Sequence, residues 1–262
     1  MKTRLDAELV RRGLARSREI AADLIAEKVV LVSGIPATKA ATQVDAQTSI
    51  TLKDQGDQYV SRGGFKLNGA LEHFSEISVA GKVALDAGAS TGGFTDVLLR
   101  RDAKRVYAVD VGYGQMAWEL QSNPKVKVLD RVNIRNISPQ LIDEPVDLVV
   151  ADLSFISLKL VLPALKSVAK LSADYLLMVK PQFEVGKDNL GAGGVVREDF
   201  LRKAAVLDVA NEAFSLGLGC LGVVASELPG PSGNVEYFLW LKENAPAILE
   251  VDLDNAIAQG PK

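Results

Sequence analysis

Apolar residues recur at helical spacing near the start of the chain. Leu5, Leu9 and Val10 share one face of a short helix, and Gly13 supplies its C-terminal stop. Ser17 stands where a side-chain oxygen caps a second helix. Glu19 in its first turn complements the helix dipole, and Ile20, Ala21, Leu24 and Ile25 form its apolar face. The apolar run 29–32, the turn pair Ser33-Gly34, Ile35-Pro36 and a later run at 50–52 predict short strands, the first of them in a hairpin. Residues 54–58 carry no apolar side chain and read as a flexible connection.

Beyond that connection the pattern changes. Strand-like runs at 83–86, 105–110, 126–129, 146–152, 175–180, 220–226 and 235–241 alternate with helical segments from about 93, near 115–120, at 158–171 and at about 198–216. Such alternation predicts a parallel sheet wound on both faces. No room for a helix remains between the last two strands, so they should pair antiparallel and close the sheet with a hairpin. The expected organisation is a small α+β domain over residues 1–57, a linker at 58–61 and an α/β domain over 62–262.

Composition narrows the classes. A hydrophobic content of 48% with 24% charged residues describes a globular chain. No apolar run approaches the ~18 residues that a bilayer crossing needs. The charged start, with Lys2, Arg4 and Asp6, differs from a secretory leader, so a cytoplasmic location is expected, without a membrane partner. Cys220 is the only cysteine and His73 the only histidine. An internal disulfide is excluded, a Cys/His zinc site lacks ligands, and no metal is expected.

Net charge is −3, which opposes a nucleic-acid partner until its distribution is considered. Within residues 1–20 six cations (Lys2, Arg4, Arg11, Arg12, Arg16, Arg18) face three acids (Asp6, Glu8, Glu19), an excess of three. Arg4, Arg11, Arg12, Arg16 and Arg18 are the candidate RNA contacts, because guanidinium groups near an inter-helix turn can bind phosphate in pairs. A solvated helix face would have the same composition.

The chemistry is concentrated where strands end. Asp86-Ala-Gly-Ala-Ser-Thr-Gly-Gly-Phe-Thr95 joins the first strand of the larger domain to its helix, and glycine there lets backbone approach a ligand. The spacing fits neither a dinucleotide fingerprint nor a triphosphate loop. Asp110 closes the next strand, where an acid can accept hydrogen bonds from two ribose hydroxyls. A nucleoside without a pyrophosphate is favoured, and S-adenosylmethionine is the candidate. Gly88, Ala89, Ser90, Thr91, Gly92, Gly93, Phe94, Asp110, Asn133 and Asp152 are the expected cofactor-binding residues. Topology also gathers Asp152, Lys180, Glu236 and Lys66 at one sheet edge: two strand exits, the start of a reversed strand and the start of the preceding helix. These four could equally form a salt-bridge network with no chemical task.

Family resemblances bear on both domains. Arg4-Leu-Asp6, Gly13-Leu-Ala-Arg-Ser-Arg18, Leu24-Ile25 and Val29-Val-Leu-Val-Ser-Gly34 resemble the S4 RNA-binding domain. Lys66, Asp152, Lys180 and Glu236 resemble the lysine–aspartate–lysine–glutamate tetrad of FtsJ-like RNA 2′-O-methyltransferases. The glycine loop, Arg62-Gly-Gly-Phe-Lys66, Ala151-Asp-Leu-Ser-Phe-Ile-Ser157, Val179-Lys-Pro-Gln-Phe-Glu-Val-Gly186 and Gly230-Pro-Ser-Gly-Asn-Val-Glu-Tyr-Phe238 are similar to the TlyA branch, historically named haemolysins. Tyr59 stands where members tend to carry tryptophan.

The resemblance implies a Rossmann-like class I methyltransferase, with a seven-stranded, mostly parallel sheet ending in an antiparallel hairpin, preceded by an S4 domain. It implies methyl transfer from S-adenosylmethionine to the ribose 2′-hydroxyl of cytidine in ribosomal RNA, with Lys66, Asp152, Lys180 and Glu236 as catalytic residues and Lys180 beside the hydroxyl. Partners would be ribosomal RNA within the 30S subunit, the 50S subunit or both, the chain being similar to the longer, dual-target form. Three other readings stand beside it. One is a base amino-group methyltransferase, from the distant similarity of Asp152-Leu-Ser-Phe155 to an Asp-Pro-Pro-Tyr motif. The second is a membrane-active haemolysin, which the pattern does not support. The third is an assembly factor without turnover, against which the tetrad and glycine loop argue.

Overall fold

The computed structural model describes residues 3–15, 17–26, 28–45, 47–52, 59–230 and 232–261. Arg16, the connection at 54–58 and the first residue of the expected linker lie outside the described residues. The chain divides into two compact units, Met1–Gln58 and Tyr59–Lys262.

The smaller unit runs β1 (Thr3–Arg4), α1 (Leu5–Arg11), α2 (Arg18–Ala26), β2 (Val30–Val32), β3 (Ile35–Pro36), β4 (Gln43–Val44) and β5 (Ile50–Leu52). Gly13, at φ 72°, ends α1 in a Schellman turn: its N–H donates to the Val10 carbonyl and that of Leu14 to the Leu9 carbonyl. The Ile20 N–H donates to Ser17 Oγ at 3.2 Å, capping α2. Ser33 and Gly34, at φ 51° and 82°, make the two-residue turn between β2 and β3, both central positions being left-handed as the strand twist requires. β2 lies between β3 and β5, and β1 pairs with β4. Leu5, Leu9, Ala21, Ile25, Val30, Val44 and Ile50 fill the core.

The larger unit runs α3 (Arg62–His73), β6 (Val83–Ala87), α4 (Gly93–Arg100), β7 (Arg105–Asp110), α5 (Trp118–Gln121), β8 (Val126–Asp130), β9 (Val146–Ala151), α6 (Leu162–Val168), β10 (Ala169–Val179), α7 (Asp199–Ser215), β11 (Leu218–Ala225), β12 (Tyr237–Glu243) and α8 (Glu250–Gln259). Its seven-stranded sheet has the order β11-β12-β10-β9-β6-β7-β8. The five strands from β10 to β8 are parallel, and β12 is antiparallel to both neighbours.

Two-residue alternation assigns each strand side chain to one of two cores. Leu85, Val149, Tyr175, Leu177, Val179, Tyr237 and Leu239 pack with the buried residues of α6, α7 and α8. Ala84, Leu148, Val150, Leu176, Met178 and Phe238 pack with those of α3 and α4. Asp86, Asp152, Lys180 and Glu236 carry the parity of the second set. The alternation that builds the core therefore aims the polar groups at its rim toward α3.

Two expectations need correction. The helix expected at 158–171 is a 3-10 turn at Leu158–Leu160 followed by α6, and strand β10 already begins at Ala169, which pairs with Val146. Sheet pairing overrides the helical spacing of residues 169–171. α8 was not anticipated, although Leu253, Ala256 and Ile257 are buried at helical spacing. The helix near 115–120 is confined to the four residues of α5.

Phe238 is fully buried and stacks on Phe94 with ring centroids 6.1 Å apart. Phe238→Ala should destabilise this unit by about 3–5 kcal/mol, read as a lower urea midpoint.

Candidate active site

The site lies at the carboxyl edge of the parallel strands. Val179 pairs with Tyr237 as the last rung between β10 and β12. Lys180 and Glu236, one residue further out on each strand, therefore leave the sheet side by side. Asp152 follows Ala151, which pairs with Ala87 on one side and Leu177 on the other. α3 begins above them: a Cβ on Gly63 would lie 3.7 Å from Asp152 Oδ2. One turn later Lys66 Nζ donates to Glu236 Oε2 at 2.6 Å, with side-chain exposures of 7% and 1%. Lys180 Nζ lies 2.5 Å from Asp152 Oδ1 and donates to Ser154 Oγ at 3.0 Å. The four candidates thus form two adjacent ion pairs, one buried and one at the edge of a cavity. Gly230 closes over the first pair, since a Cβ there would meet Glu236 Oε1 at 2.6 Å.

The cavity encloses about 460 Å³, and its lining includes Gly88, Ser90, Asp110, Asn133, Asp152 and Phe155. Gly88, at φ 86°, brings backbone within reach of a ligand, and its missing Cβ would fall 2.5 Å from the Asp152 carbonyl oxygen. Asp110 is oriented by two backbone donors, Ser90 N–H at 2.8 Å and Gly112 N–H at 2.7 Å, one on each oxygen. Each oxygen retains accepting capacity for a ribose hydroxyl. Asp86 is wholly buried, with Oδ2 accepting from Thr95 Oγ1 at 2.6 Å and Oδ1 without a partner among the described residues. Burial pushes its carboxyl up to about 7; the Thr95 hydrogen bond opposes this, and the Asp152 and Asp110 charges add to it. The oriented Asp110 carboxylate, with the backbone of Gly88 and Ser90 beside it on the cavity wall, fits the nucleoside of S-adenosylmethionine.

Half of the expected cofactor set lies elsewhere. Ala89, Thr91, Gly92, Gly93 and Phe94 are absent from the cavity lining. Gly92 and Gly93 make room for the protein's own packing: a Cβ would strike Leu120 Cδ1 at 2.3 Å and Ser61 Oγ at 2.2 Å. Phe94 belongs to the core. Asn133 does line the cavity, but its Oδ1 accepts the Arg135 N–H and so also shapes the turn.

Two residues without an expected role act on the loop after β9. Phe155, at φ 62°, is 91% exposed on the cavity wall, its ring 5.1 Å from that of Phe183. Glu184 accepts from Ser157 Oγ at 2.5 Å and from the Leu158 N–H at 2.8 Å. Lys180, Phe183 and Glu184 therefore hold segment 152–158 at three points.

In the smaller unit the candidate arginines are paired. Asp6 is buried and binds Arg4 through two nitrogens and Arg18 through a third, which holds its carboxyl well below the usual range. Glu8 binds Arg11 and Arg12 likewise. Arg4, Arg11 and Arg18 still expose 46–61% of their side chains. Arg12 departs from the expectation of an RNA contact: its side chain is four-fifths buried, and its guanidinium donates to the carbonyls of Thr48 and Asp45.

The chain matches the FtsJ-like methyltransferase family over residues 59–243 and the S4 domain over residues 3–50. It is 55% identical over 266 residues to the 16S/23S rRNA (cytidine-2′-O)-methyltransferase TlyA of Mycobacterium tuberculosis, covering 99% of each chain. It is 35% identical to Hemolysin A of Brachyspira hyodysenteriae, covering 89% of this chain and 97% of that one. A solved structure named as a hemolysin from Streptococcus thermophilus matches at TM-score 0.80 and 35% identity, covering 98% and 95%. Among the described residues no helix is long and apolar enough to cross a membrane.

The perturbed carboxyl gives a signed prediction. Folding binds a proton at Asp86 between its ordinary value of 3.8 and about 7. The fold therefore loses stability as pH rises through that window and levels off above it. Asp86→Asn removes the slope. Without ligand it should equal the parent near pH 4 and exceed it at pH 8, by on the order of 4 kcal/mol at most, measured by denaturant titration at both pH values.

Proposed function

The chain belongs to the FtsJ-like methyltransferase family, in its TlyA branch, and on that premise we propose that it methylates the ribose 2′-oxygen of cytidines in ribosomal RNA, with S-adenosylmethionine as donor. The single observation that carries this reading is the cluster at the sheet rim. Asp152 lines the cavity that fits the donor and also pairs with Lys180, so donor site and ammonium share a residue. Identity of 55% along the full length of a 16S/23S enzyme supports targets in both subunits.

When bound, S-adenosylmethionine supplies an electrophilic methyl group. The protein's own task is to place one hydroxyl oxygen in line with it and to manage one proton. Lys180, held between Asp152 and Ser154, orients the hydroxyl and stabilises the charge that develops on the oxygen as the methyl is transferred and the hydroxyl proton is released to solvent. Lys66 and Glu236 set the geometry behind it, since their buried pair cannot relax into water. Asp110 accepts from the nucleoside ribose, and Gly88 lets backbone close on it. The exposed ring of Phe155 offers a face on which a base can stack. Arg4, Arg11 and Arg18 contact RNA phosphate, each already oriented by a carboxylate.

Base methylation would leave the two lysines without a task, and alkali separates the alternatives. A 2′-O-methyl linkage resists alkaline cleavage, whereas a base-methylated one does not. The test is labelled methyl transfer to 30S and 50S subunits, followed by alkaline digestion and mass spectrometry. Alkali-resistant methylated cytidine is expected, and an alkali-labile product would overturn the reading. Lys180→Ala should lower kcat about 10²–10⁴-fold with donor Kd within a few-fold of the parent. Near-parental turnover would remove Lys180 from the mechanism.

A further inference from the structure

A second concavity at this rim takes no part in the chemistry above. It encloses about 510 Å³ beside α7 and α8, where the turn into β12 passes, and its lining includes Arg197, Arg202, Ser232, Val235 and Ile257. Val235 lines it, whereas the next residue, Glu236, pairs with Lys66. A single step of strand alternation thus separates the cavity from the lysine–carboxylate cluster.

The described lining of this cavity carries an excess of positive charge. Arg202 is held in place by the Arg197 carbonyl, interacts with the Tyr237 hydroxyl and lies 3.3 Å from Asp199 Oδ1, while its buried Nε has no acceptor among the described residues. Arg197 is exposed and forms no ion pair among the described residues. Among the described residues of its lining, two guanidinium groups therefore face one carboxylate, that of Asp199, which is itself 71% exposed. Ser232 adds a hydroxyl. The walls are fixed to one another: Val196 N–H donates to Asn234 Oδ1 at 2.9 Å, and Asn234 Nδ2 donates to the Gly194 carbonyl at 3.0 Å. A cation would be repelled here and a neutral group would leave the excess charge unmatched. An anion with several acceptor oxygens satisfies a guanidinium in pairs.

We propose that this pocket binds a backbone phosphate of the RNA substrate, from a nucleotide flanking the one that is methylated. The proposal rests on the reading of the chain as an RNA methyltransferase and adds a point of register to it. The strand is held by a phosphate on one side of Glu236 and by the reacting ribose on the other, so the target cannot slide past Lys180.

Arg197→Ala tests this, because an exposed side chain without an ion pair can be removed without disturbing the fold. Methyl transfer to ribosomal subunits from cells lacking the modification is measured between about 50 and 200 mM salt. The expected result is a several-fold rise in KM for subunits, a log–log salt slope shallower by about 0.7–0.9, and an unchanged donor Kd. Arg197→Lys should restore the slope, since it returns the charge. A salt slope and KM equal to the parent's in Arg197→Ala would overturn the phosphate site. Absence of methyl transfer by the parent protein would instead overturn the proposed function, and this site with it.

Discussion

The buried pair between Lys66 and Glu236 constrains the rest of the larger unit. Removing both charges from water costs several kcal/mol per ion, and their mutual attraction offsets this only with short, fixed geometry. At 2.6 Å and with exposures of 7% and 1%, neither group can move without leaving the other buried and unpaired. A hydrophobic pair of similar volume would often be as stable. The arrangement therefore makes sense as a device for holding α3 against the lead into β12, and so for holding the residues beside them. Gly230 against Glu236 shows how little slack remains.

Strand parity explains why the cluster is polar on one side only. The same two-residue alternation that sends Val179 and Tyr237 into one core sends Lys180 and Glu236 to the other face, where α3 supplies Lys66. Function is thus laid on the last rung of a ladder whose earlier rungs are plain core packing. The loop after β9 completes the site, and side chains from the loop after β10 help to hold it.

Much of this was legible in the sequence. The alternation of strands and helices, the closing hairpin and the meeting of Lys66, Asp152, Lys180 and Glu236 follow from period and topology, which are local properties summed along the chain. What was not legible depends on distant contacts. Gly92 and Gly93 sit in a ligand-type loop, yet they serve the packing of Leu120 and Ser61, which spacing alone does not reveal. Arg12 shares its composition with its neighbours, and only the carbonyls of Asp45 and Thr48 make it structural. The exposure of Phe155 and the grip of Glu184 arise from tertiary placement. α8 follows the last strand with only three buried apolar positions, Leu253, Ala256 and Ile257, a weak signal until the sheet supplies a surface for them.

If the buried pair of Lys66 and Glu236 works as one unit, its members should not contribute independently. The most direct measurement is a double-mutant cycle on kcat with Lys66→Ala, Glu236→Ala and the double variant, with donor affinity followed in each. A double variant no slower than the worse single variant, with donor affinity retained, is the predicted result. Losses that simply multiply would contradict the account, because they would mean that each residue acts alone.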